Sequence, residues 1–290
     1  MGKAGAFFRL TRIEHSAMLV VAVIAAELIS VGRLPALPVL ALSLVVPIFI
    51  SMASFAINDY FDVASDRANG RTDRPIVSGE ISRGSALAVS VVCLVIGIGA
   101  GVFINLYAFS IALLFGMLAM LYSYKLKDVL LAGNVYVAFT YAIPFVFGNY
   151  VVSSTLQTAI IAVFFAVFLT GLAREIHGMI RDYSGDAKAR RTKNLVRYTG
   201  KVRASQVAFV LYLEAILISI FIFFFVPPFR YNLYYIVPIA VGDIMFMYVA
   251  VACMIRGSLQ TYKLGRNITL IAMVIVVMGY LASAILFAAA

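Results

Sequence analysis

The feature of this chain that most restricts its fold is a series of nine long, almost continuously apolar stretches. A helix needs about 20 mainly apolar residues to cross the hydrocarbon core of a bilayer. The strands of a membrane barrel, in contrast, are short and alternate between apolar and polar residues. The sequence therefore predicts an all-α, polytopic membrane protein. Its nine transmembrane helices are expected at residues 17–34, 36–57, 84–103, 106–122, 128–151, 155–180, 204–226, 233–256 and 266–288.

The composition excludes the soluble classes of protein. Of the 290 residues, 63% are hydrophobic and only 12% are charged, whereas a soluble domain is about half apolar and about one quarter charged. A disordered chain is excluded for the same reason, because disordered segments contain few apolar residues. We therefore expect the protein to be surrounded by membrane lipid and to have no nucleic-acid partner.

Nine spans would place the loops alternately on the two sides of the membrane. The net charge of +10 is distributed unevenly between these two sides. Of the 23 lysines and arginines, only Arg33 and Arg230 fall on the side opposite to the N-terminus. Loops that are rich in lysine and arginine remain in the cytoplasm. We therefore expect a multi-pass protein of the cell membrane, with a cytoplasmic N-terminus and an external C-terminus.

Several residues within the apolar stretches have a structural explanation. Gly97 and Gly101 form a GxxxG pattern, which indicates a close contact between helices. Cys93 and Cys253 lack the spacing of a disulfide or metal motif, and we interpret them as small buried hydrophobic residues. His177 lies near an acidic cluster, and buried packing is the favoured interpretation over a role in lining a site.

A first group of acidic residues follows the second apolar stretch, in the sequence Asn58-Asp59-Tyr60-Phe61-Asp62-Val63-Ala64-Ser65-Asp66. On a helix, Asn58, Asp62 and Asp66 fall within about 80° of one another, on one face. Ionised carboxylates this close repel one another and need a positive partner. Hard oxygen ligands suit Mg²⁺, which typically links a few carboxylates to the phosphates of a substrate.

A second group, Asp182-Tyr183-Ser184-Gly185-Asp186, follows the sixth apolar stretch. Both groups are predicted on the same membrane face, which suggests two halves of one site. Cations lie near both groups, and a bound diphosphate requires such cations between metal-binding carboxylates. These cations are Arg67, Arg71, Arg74, Lys125, Lys127, Arg174 and Arg181.

These motifs resemble those of the UbiA superfamily of intramembrane prenyltransferases. Residues 58–66 are similar to the family's NDxxDxxxD signature, residues 74–79 (RPIVSG) to its RPxxSG stretch, and residues 122–127 (YSYKLK) to its YSxxLK loop. The second motif departs from the common DxxDxxxD form, because Met179 occupies its first position. Only Asp182 and Asp186 correspond to the family's aspartates there.

The resemblance implies one domain over residues 1–290, with nine helices around a central cavity and a cytoplasmic cap. It implies Mg²⁺ as the cofactor and a polyprenyl diphosphate as the donor, whose allylic C–O bond ionises. The catalytic residues it implies are Asp62, Asp66, Asp182 and Asp186. The metal ligands it implies are Asn58, Asp59, Asp62, Asp66, Asp182 and Asp186. The substrate-binding residues it implies are Arg12, Asn58, Arg67, Arg71, Tyr124, Lys125 and Arg174.

Two acceptors remain open. Residues 174–186 are similar to the archaeal branch that makes digeranylgeranylglyceryl phosphate, which favours a prenylglyceryl phosphate acceptor. Residues 10–15 (LTRIEH) are instead similar to members that prenylate 4-hydroxybenzoate, which favours an aromatic acid. A membrane transporter is the non-enzyme alternative, although a transporter would concentrate charge near the middle of the membrane. The Asp-Gly and Ala-Arg pattern of CDP-alcohol phosphotransferases is missing.

Overall fold

A computed structural model describes the backbone of residues 3–129, 131–189 and 195–289, and the side chains of residues 4–129, 131–183 and 195–289. In these ranges the chain is helical and contains no strand, which confirms the all-α prediction. Two short 3₁₀ turns, Ile13–His15 and Leu126–Asp128, interrupt the helical order. The ten helices are α1 (Lys3–Thr11), α2 (Ser16–Val31), α3 (Leu37–Ala68), α4 (Arg83–Val102), α5 (Leu106–Tyr124), α6 (Ala132–Val152), α7 (Thr158–Ala189), α8 (Leu195–Phe225), α9 (Leu233–Arg256) and α10 (Leu259–Ala289).

Nine helical segments among the described residues are long and apolar enough to cross a membrane, namely Ile13–Val31, which joins the first 3₁₀ turn to α2, and the helices α3 to α10. This number agrees with the nine spans expected from the sequence. The main difference concerns α3 and α7, which continue past their apolar stretches into the two acidic motifs. They continue because these motifs contain neither proline nor a helix-terminating turn, so that polar residues extend each helix at its end.

The chain divides into two compact units, and the division falls inside α2. The first unit consists of residues 1–20 and 35–127, and it is built around α3. Gly97 of α4 lies against α3: a Cβ atom there would be 3.2 Å from the backbone nitrogen of Ile50. The hydroxyl of Ser90 donates a hydrogen bond of 2.9 Å to the carbonyl of Ala53. The predicted close contact at the GxxxG pattern is therefore confirmed.

The second unit consists of residues 21–34 and 128–290. Its core contains large buried aromatic side chains, among which Phe145 and Tyr235 are 0% exposed and Tyr280 is 1% exposed. Gly148 allows α6 to approach α2, because a Cβ atom at this position would be only 2.6 Å from the carbonyl oxygen of Val23. The predictions of a single domain over residues 1–290, a central cavity and a cytoplasmic cap stay predictions.

Candidate active site

The first acidic motif forms the last turns of α3. Its helix ends where Gly70 adopts a φ of +66°, a left-handed backbone conformation that glycine adopts without a steric penalty. The amide of Arg71 then donates to the carbonyl of Asp66 at 2.9 Å, which closes the helix behind the motif. Asn58 and Asp62 are half-buried, whereas Asp59 and Asp66 are buried. The helical spacing predicted for Asn58, Asp62 and Asp66 is confirmed, because α3 includes all three residues.

Asp59 forms the most enclosed ion pairs of this group. Its Oδ1 atom accepts hydrogen bonds from Arg12 Nη2 at 2.6 Å and from Arg74 Nη1 at 3.0 Å. The Asp59 side chain is 1% exposed, and those of Arg12 and Arg74 are 19% and 16% exposed. Loss of one partner from a buried ion pair of this kind typically costs about 3–5 kcal/mol, because the remaining charge is left uncompensated.

Arg12 reaches Asp59 from the segment that joins α1 to the first 3₁₀ turn. Its backbone has a φ of 46° and a ψ of 44°, a left-handed conformation that costs a residue with a side chain about 1–2 kcal/mol. Its guanidinium carbon lies 4.7 Å from the centroid of the Phe55 ring. Strained backbone of this kind is often found where a ligand is clamped, and here it directs the guanidinium towards α3.

The other two aspartates of the motif also have cationic neighbours. Lys127 Nζ donates a hydrogen bond to Asp62 Oδ1, and Arg74 Nε lies 3.7 Å from Asp66 Oδ2. Lys127 is half-buried, whereas Lys125 is exposed. Three carboxylates and three cations therefore balance one another at the end of α3.

The remaining predicted residues of the first unit lie at its surface. Arg67 is exposed on the last turn of α3. Arg71 forms an ion pair with Asp73 at 3.1 Å; the hydrogen bond between them lowers the pKa of the Asp73 carboxyl and raises the pKa of the Arg71 guanidinium. Tyr124 is 67% exposed, and its ring centroid lies 5.7 Å from that of Phe61.

The second acidic motif lies at the end of α7, in the second unit. Arg181 binds both carboxylate oxygens of Asp182, at 2.8 Å and 2.6 Å. The Asp182 side chain is 50% exposed, so it is accessible to ligands. Asp186 belongs to the same helix, and its side chain lies outside the residues described. Met179, which replaces an aspartate of the common motif, is half-buried.

Arg174 is part of a hydrogen-bonded chain about two turns before Asp182 on α7. Its Nη1 atom donates to the Tyr141 hydroxyl at 2.9 Å, and that hydroxyl donates to Glu175 Oε1 at 3.2 Å. His177 is 6% exposed, and its ring lies 5.7 Å from each of the rings of Tyr212 and Tyr262. His177 therefore packs among tyrosines, which agrees with buried packing as its favoured interpretation.

Sequence reasoning assigned no site role to Glu175, and it named Arg74 and Lys127 only among the cations near the acidic motifs, without placing them in the substrate-binding set. The signals for the two cations were present, because Arg74 begins the RPxxSG stretch and Lys127 ends the YSxxLK loop. Within the part of the chain that the structure describes, no three His, Cys, Asp or Glu side chains converge as a metal site. Mg²⁺ does not require such a group, because it is usually held by one or two carboxylates together with water and substrate phosphates.

Comparison with protein families gives one match that covers most of the chain. The model of the UbiA prenyltransferase family matches residues 19–260, which include both acidic motifs. The chain belongs to the UbiA prenyltransferase family. It is therefore a prenyltransferase and a multi-pass membrane protein, and the membrane-transporter alternative is not supported.

Several relatives in this family have the same curated name. The chain is 39% identical to digeranylgeranylglyceryl phosphate synthase of Archaeoglobus fulgidus over 281 residues, which cover 96% of this chain and 95% of the relative. It is 33% identical to digeranylgeranylglyceryl phosphate synthase of Methanoregula boonei, with 93% of this chain and 97% of the relative covered.

Solved structures of the UbiA family have a similar fold. One, described as a digeranylgeranylglyceryl phosphate synthase in membranes, has a TM-score of 0.80 and 26% identity, and the match covers 98% of this chain and 99% of that chain. A UbiA homologue from Archaeoglobus fulgidus bound to GPP and Mg²⁺ has a TM-score of 0.66 and 20% identity, with 97% and 99% covered. The all-α UbiA fold expected from the sequence is thereby confirmed.

Proposed function

We propose that this prenyltransferase transfers a geranylgeranyl group from its diphosphate to geranylgeranylglyceryl phosphate, within the membrane. The observation that carries the proposal is the similarity to synthases of digeranylgeranylglyceryl phosphate, which extends over 96% of the chain. The alternative acceptor, 4-hydroxybenzoate, is favoured only by residues 10–15. Arg12 within that segment binds Asp59 at 2.6 Å, so its presence has an explanation that needs no aromatic acid.

Mg²⁺ fits the oxygen donors of both motifs. We assign Asn58, Asp62 and Asp66 from α3, and Asp182 and Asp186 from α7, as the residues that hold it. Asp62 and Asp182 retain exposed carboxylate surface, with side chains 17% and 50% exposed. The homologue that was solved with GPP and Mg²⁺ supports this choice of ion. When bound, Mg²⁺ would neutralise the negative charge that develops on the leaving diphosphate.

Cationic side chains near the two acidic motifs bind the diphosphate oxygens. Guanidinium groups suit this task because their N–H donors match the geometry of phosphate oxygens. Charge-assisted hydrogen bonds of this kind stabilise the leaving group in the transition state. The cations that we assign to diphosphate binding are Arg12, Arg67, Arg71, Arg74, Lys125, Lys127 and Arg174, and we assign Tyr124 to the same role as an uncharged hydroxyl donor.

The reaction breaks one C–O bond and forms another. The allylic carbon loses its bond to the diphosphate, which leaves with the electron pair. A hydroxyl oxygen of the acceptor then donates a lone pair to that carbon, and its proton passes to the released diphosphate. Apolar helices exclude water from the cationic carbon, which explains why a transfer between two lipid substrates takes place inside a membrane protein.

The charge distribution supports a cytoplasmic position for both acidic motifs. All lysines and arginines except Arg33 and Arg230 fall on the side of the N-terminus and the two motifs. Because loops rich in lysine and arginine remain in the cytoplasm, we assign the motifs and the N-terminus to the cytoplasmic side of the cell membrane. A water-soluble ion such as Mg²⁺ would then reach the site from the cytoplasm.

The proposal is tested with purified protein in detergent, geranylgeranyl diphosphate and Mg²⁺. Geranylgeranylglyceryl phosphate and 4-hydroxybenzoate are offered together, and the products are identified by mass spectrometry. We expect a doubly prenylated glyceryl phosphate as the main product. Exclusive prenylation of 4-hydroxybenzoate would overturn the acceptor assignment.

The site assignment has its own test in two alanine variants. Asp62→Ala and Asp186→Ala should each abolish Mg²⁺-dependent turnover, because each removes a proposed ligand of the ion. Their melting temperatures, measured in the same detergent, should stay close to that of the wild type. Full activity in both variants would contradict the assignment.

A further inference from the structure

Asp59 is enclosed more completely than the other two aspartates of its motif. Its side chain is 1% exposed, compared with 17% for Asp62 and 13% for Asp66. Its Oδ1 atom already accepts hydrogen bonds from two arginines. Its Oδ2 atom is buried and has no hydrogen-bond partner among the side chains described. Neither oxygen is open to an ion that arrives with its water shell.

This enclosure bears directly on the choice of metal ligands. Mg²⁺ loses its water molecules reluctantly and usually keeps several of them when it binds a protein. A hydrated ion can approach Asp62 from solvent, but at Asp59 it would have to displace two guanidinium groups from one oxygen. The family signature does not separate the two residues, because both are aspartates at the same end of α3.

We propose that Asp59 is a positioning residue that fixes Arg12 and Arg74 for binding of the donor's diphosphate, and that it is not a magnesium ligand. The proposal rests on the proposed function, in which the donor is a prenyl diphosphate. It replaces the metal-binding role that the family signature implied for Asp59 and leaves that role to Asn58, Asp62 and Asp66.

The charge balance at Asp59 supports this assignment. One carboxylate oxygen of Asp59 is shared between the guanidinium groups of Arg12 and Arg74, and Arg74 Nε also lies 3.7 Å from Asp66 Oδ2. Each guanidinium group has five N–H donors, and the bonds to Asp59 use one from each arginine. Arg74 Nε is buried without a hydrogen-bond partner in the described part of the chain. Arg12 and Arg74 therefore retain N–H donors for an anionic ligand.

The geometry explains why such an anchor is needed. Arg12 comes from the segment after α1, and Arg74 comes from the connection between α3 and α4. Asp59 lies on the long helix α3 and bonds to both, so it sets the spacing of the two guanidinium groups. The Phe55 ring, 4.7 Å from the guanidinium carbon of Arg12, further restricts that group.

The experiment compares Asp59→Asn with Asp62→Asn, a matched change one turn further along α3. Two dissociation constants are measured on the full-length protein in detergent. That of Mn²⁺, added alone, is measured by electron paramagnetic resonance, and that of inorganic pyrophosphate, at saturating Mg²⁺, by calorimetry. We expect Asp59→Asn to leave the Mn²⁺ dissociation constant within twofold of the wild type and to raise that of pyrophosphate at least tenfold. Asp62→Asn should raise the Mn²⁺ dissociation constant at least tenfold.

The outcomes separate this proposal from the proposed function. If Asp59→Asn weakens Mn²⁺ binding as strongly as Asp62→Asn does, Asp59 is a metal ligand and the proposal is overturned. If pyrophosphate binding is unchanged in Asp59→Asn, the positioning role is overturned. If the wild type binds pyrophosphate but transfers no prenyl group to either acceptor, the proposed function fails while this comparison of binding remains valid.

A second pair of variants applies if Asp59→Asn does not fold, as judged by size-exclusion chromatography. Arg12→Lys and Arg74→Lys keep the positive charge but lose the fork of guanidinium donors. With prenyl diphosphate as substrate, each should raise KM for the donor at least fivefold and change kcat less than threefold. The Mn²⁺ dissociation constant should stay within twofold. An unchanged KM in both variants would overturn the proposal.

Discussion

Two lysines that are two positions apart have different surroundings at the end of α5. The helix ends at Tyr124, and the 3₁₀ turn Leu126–Asp128 follows. Lys125 remains exposed, whereas Lys127 forms an ion pair with Asp62. The sequence identified the YSxxLK motif that contains both lysines, but it could not show which lysine pairs with Asp62. The direction of a side chain beyond a helix end depends on the turn that follows.

This difference leads to a prediction about donor binding. Lys127→Met should raise KM for the prenyl diphosphate at least tenfold, because it removes a half-buried cation next to the proposed magnesium ligand Asp62. Lys125→Met, the matched variant, should have a smaller effect, since an exposed cation is screened by solvent and salt. Steady-state kinetics at several donor concentrations measure both values. A larger increase in KM for Lys125→Met would contradict the prediction that Lys127 contributes more to donor binding than Lys125 does.

At the scale of helices, the sequence predicted the apolar spans better than the helix ends. The expected second span ends at residue 57, whereas α3 continues to Ala68 and includes the whole first motif. Hydropathy reports only where a helix leaves the apolar layer, and it does not detect a helix that continues with polar residues. The ion-pair partners of Asp59 could not be predicted from the sequence either, because Arg12 and Arg74 reach Asp59 from other segments of the chain.

The contact between α3 and α4 gives a prediction about stability. A Cβ atom at Gly97 would lie 2.9 Å from Ile50 Cγ1 and 3.3 Å from the carbonyl oxygen of Val46. Because the backbone of α3 cannot easily move away, Gly97→Ala should destabilise the protein by about 1–3 kcal/mol. The loss is measured as a lower midpoint of thermal unfolding in detergent.

Gly99 provides the matched control for this prediction on the same helix. A Cβ atom at Gly99 would meet no atom within 4 Å, so Gly99→Ala introduces the same methyl group without a clash. Its unfolding midpoint should equal or slightly exceed that of the wild type, because alanine favours a helix more than glycine does. Equal losses in both variants would show that the effect arises from the substitution itself and not from the contact with α3.

At the scale of the whole molecule, one bilayer requirement explains most of what the sequence could predict. Each span must satisfy its backbone hydrogen bonds internally, so nine long apolar stretches specify nine helices. The same requirement concentrates charge at the ends of the helices, which is where the acidic motifs lie. The pairing of individual charges, such as Arg74 with Asp59 and Lys127 with Asp62, depends on turn geometry and was not accessible from the pattern.

The orientation of the protein is the prediction that belongs to this scale. In a background with Cys93→Ala and Cys253→Ala, single cysteines are placed at two exposed positions, Ser154→Cys between α6 and α7 and Gln260→Cys near the start of α10. Whole cells are treated with a membrane-impermeant maleimide, with and without permeabilisation. Because the positive charge predicts that the N-terminal side is cytoplasmic, Ser154→Cys should react in intact cells, and Gln260→Cys should react only after permeabilisation. The reverse pattern would place the two acidic motifs outside the cell, where the proposed cytoplasmic supply of Mg²⁺ could not reach them.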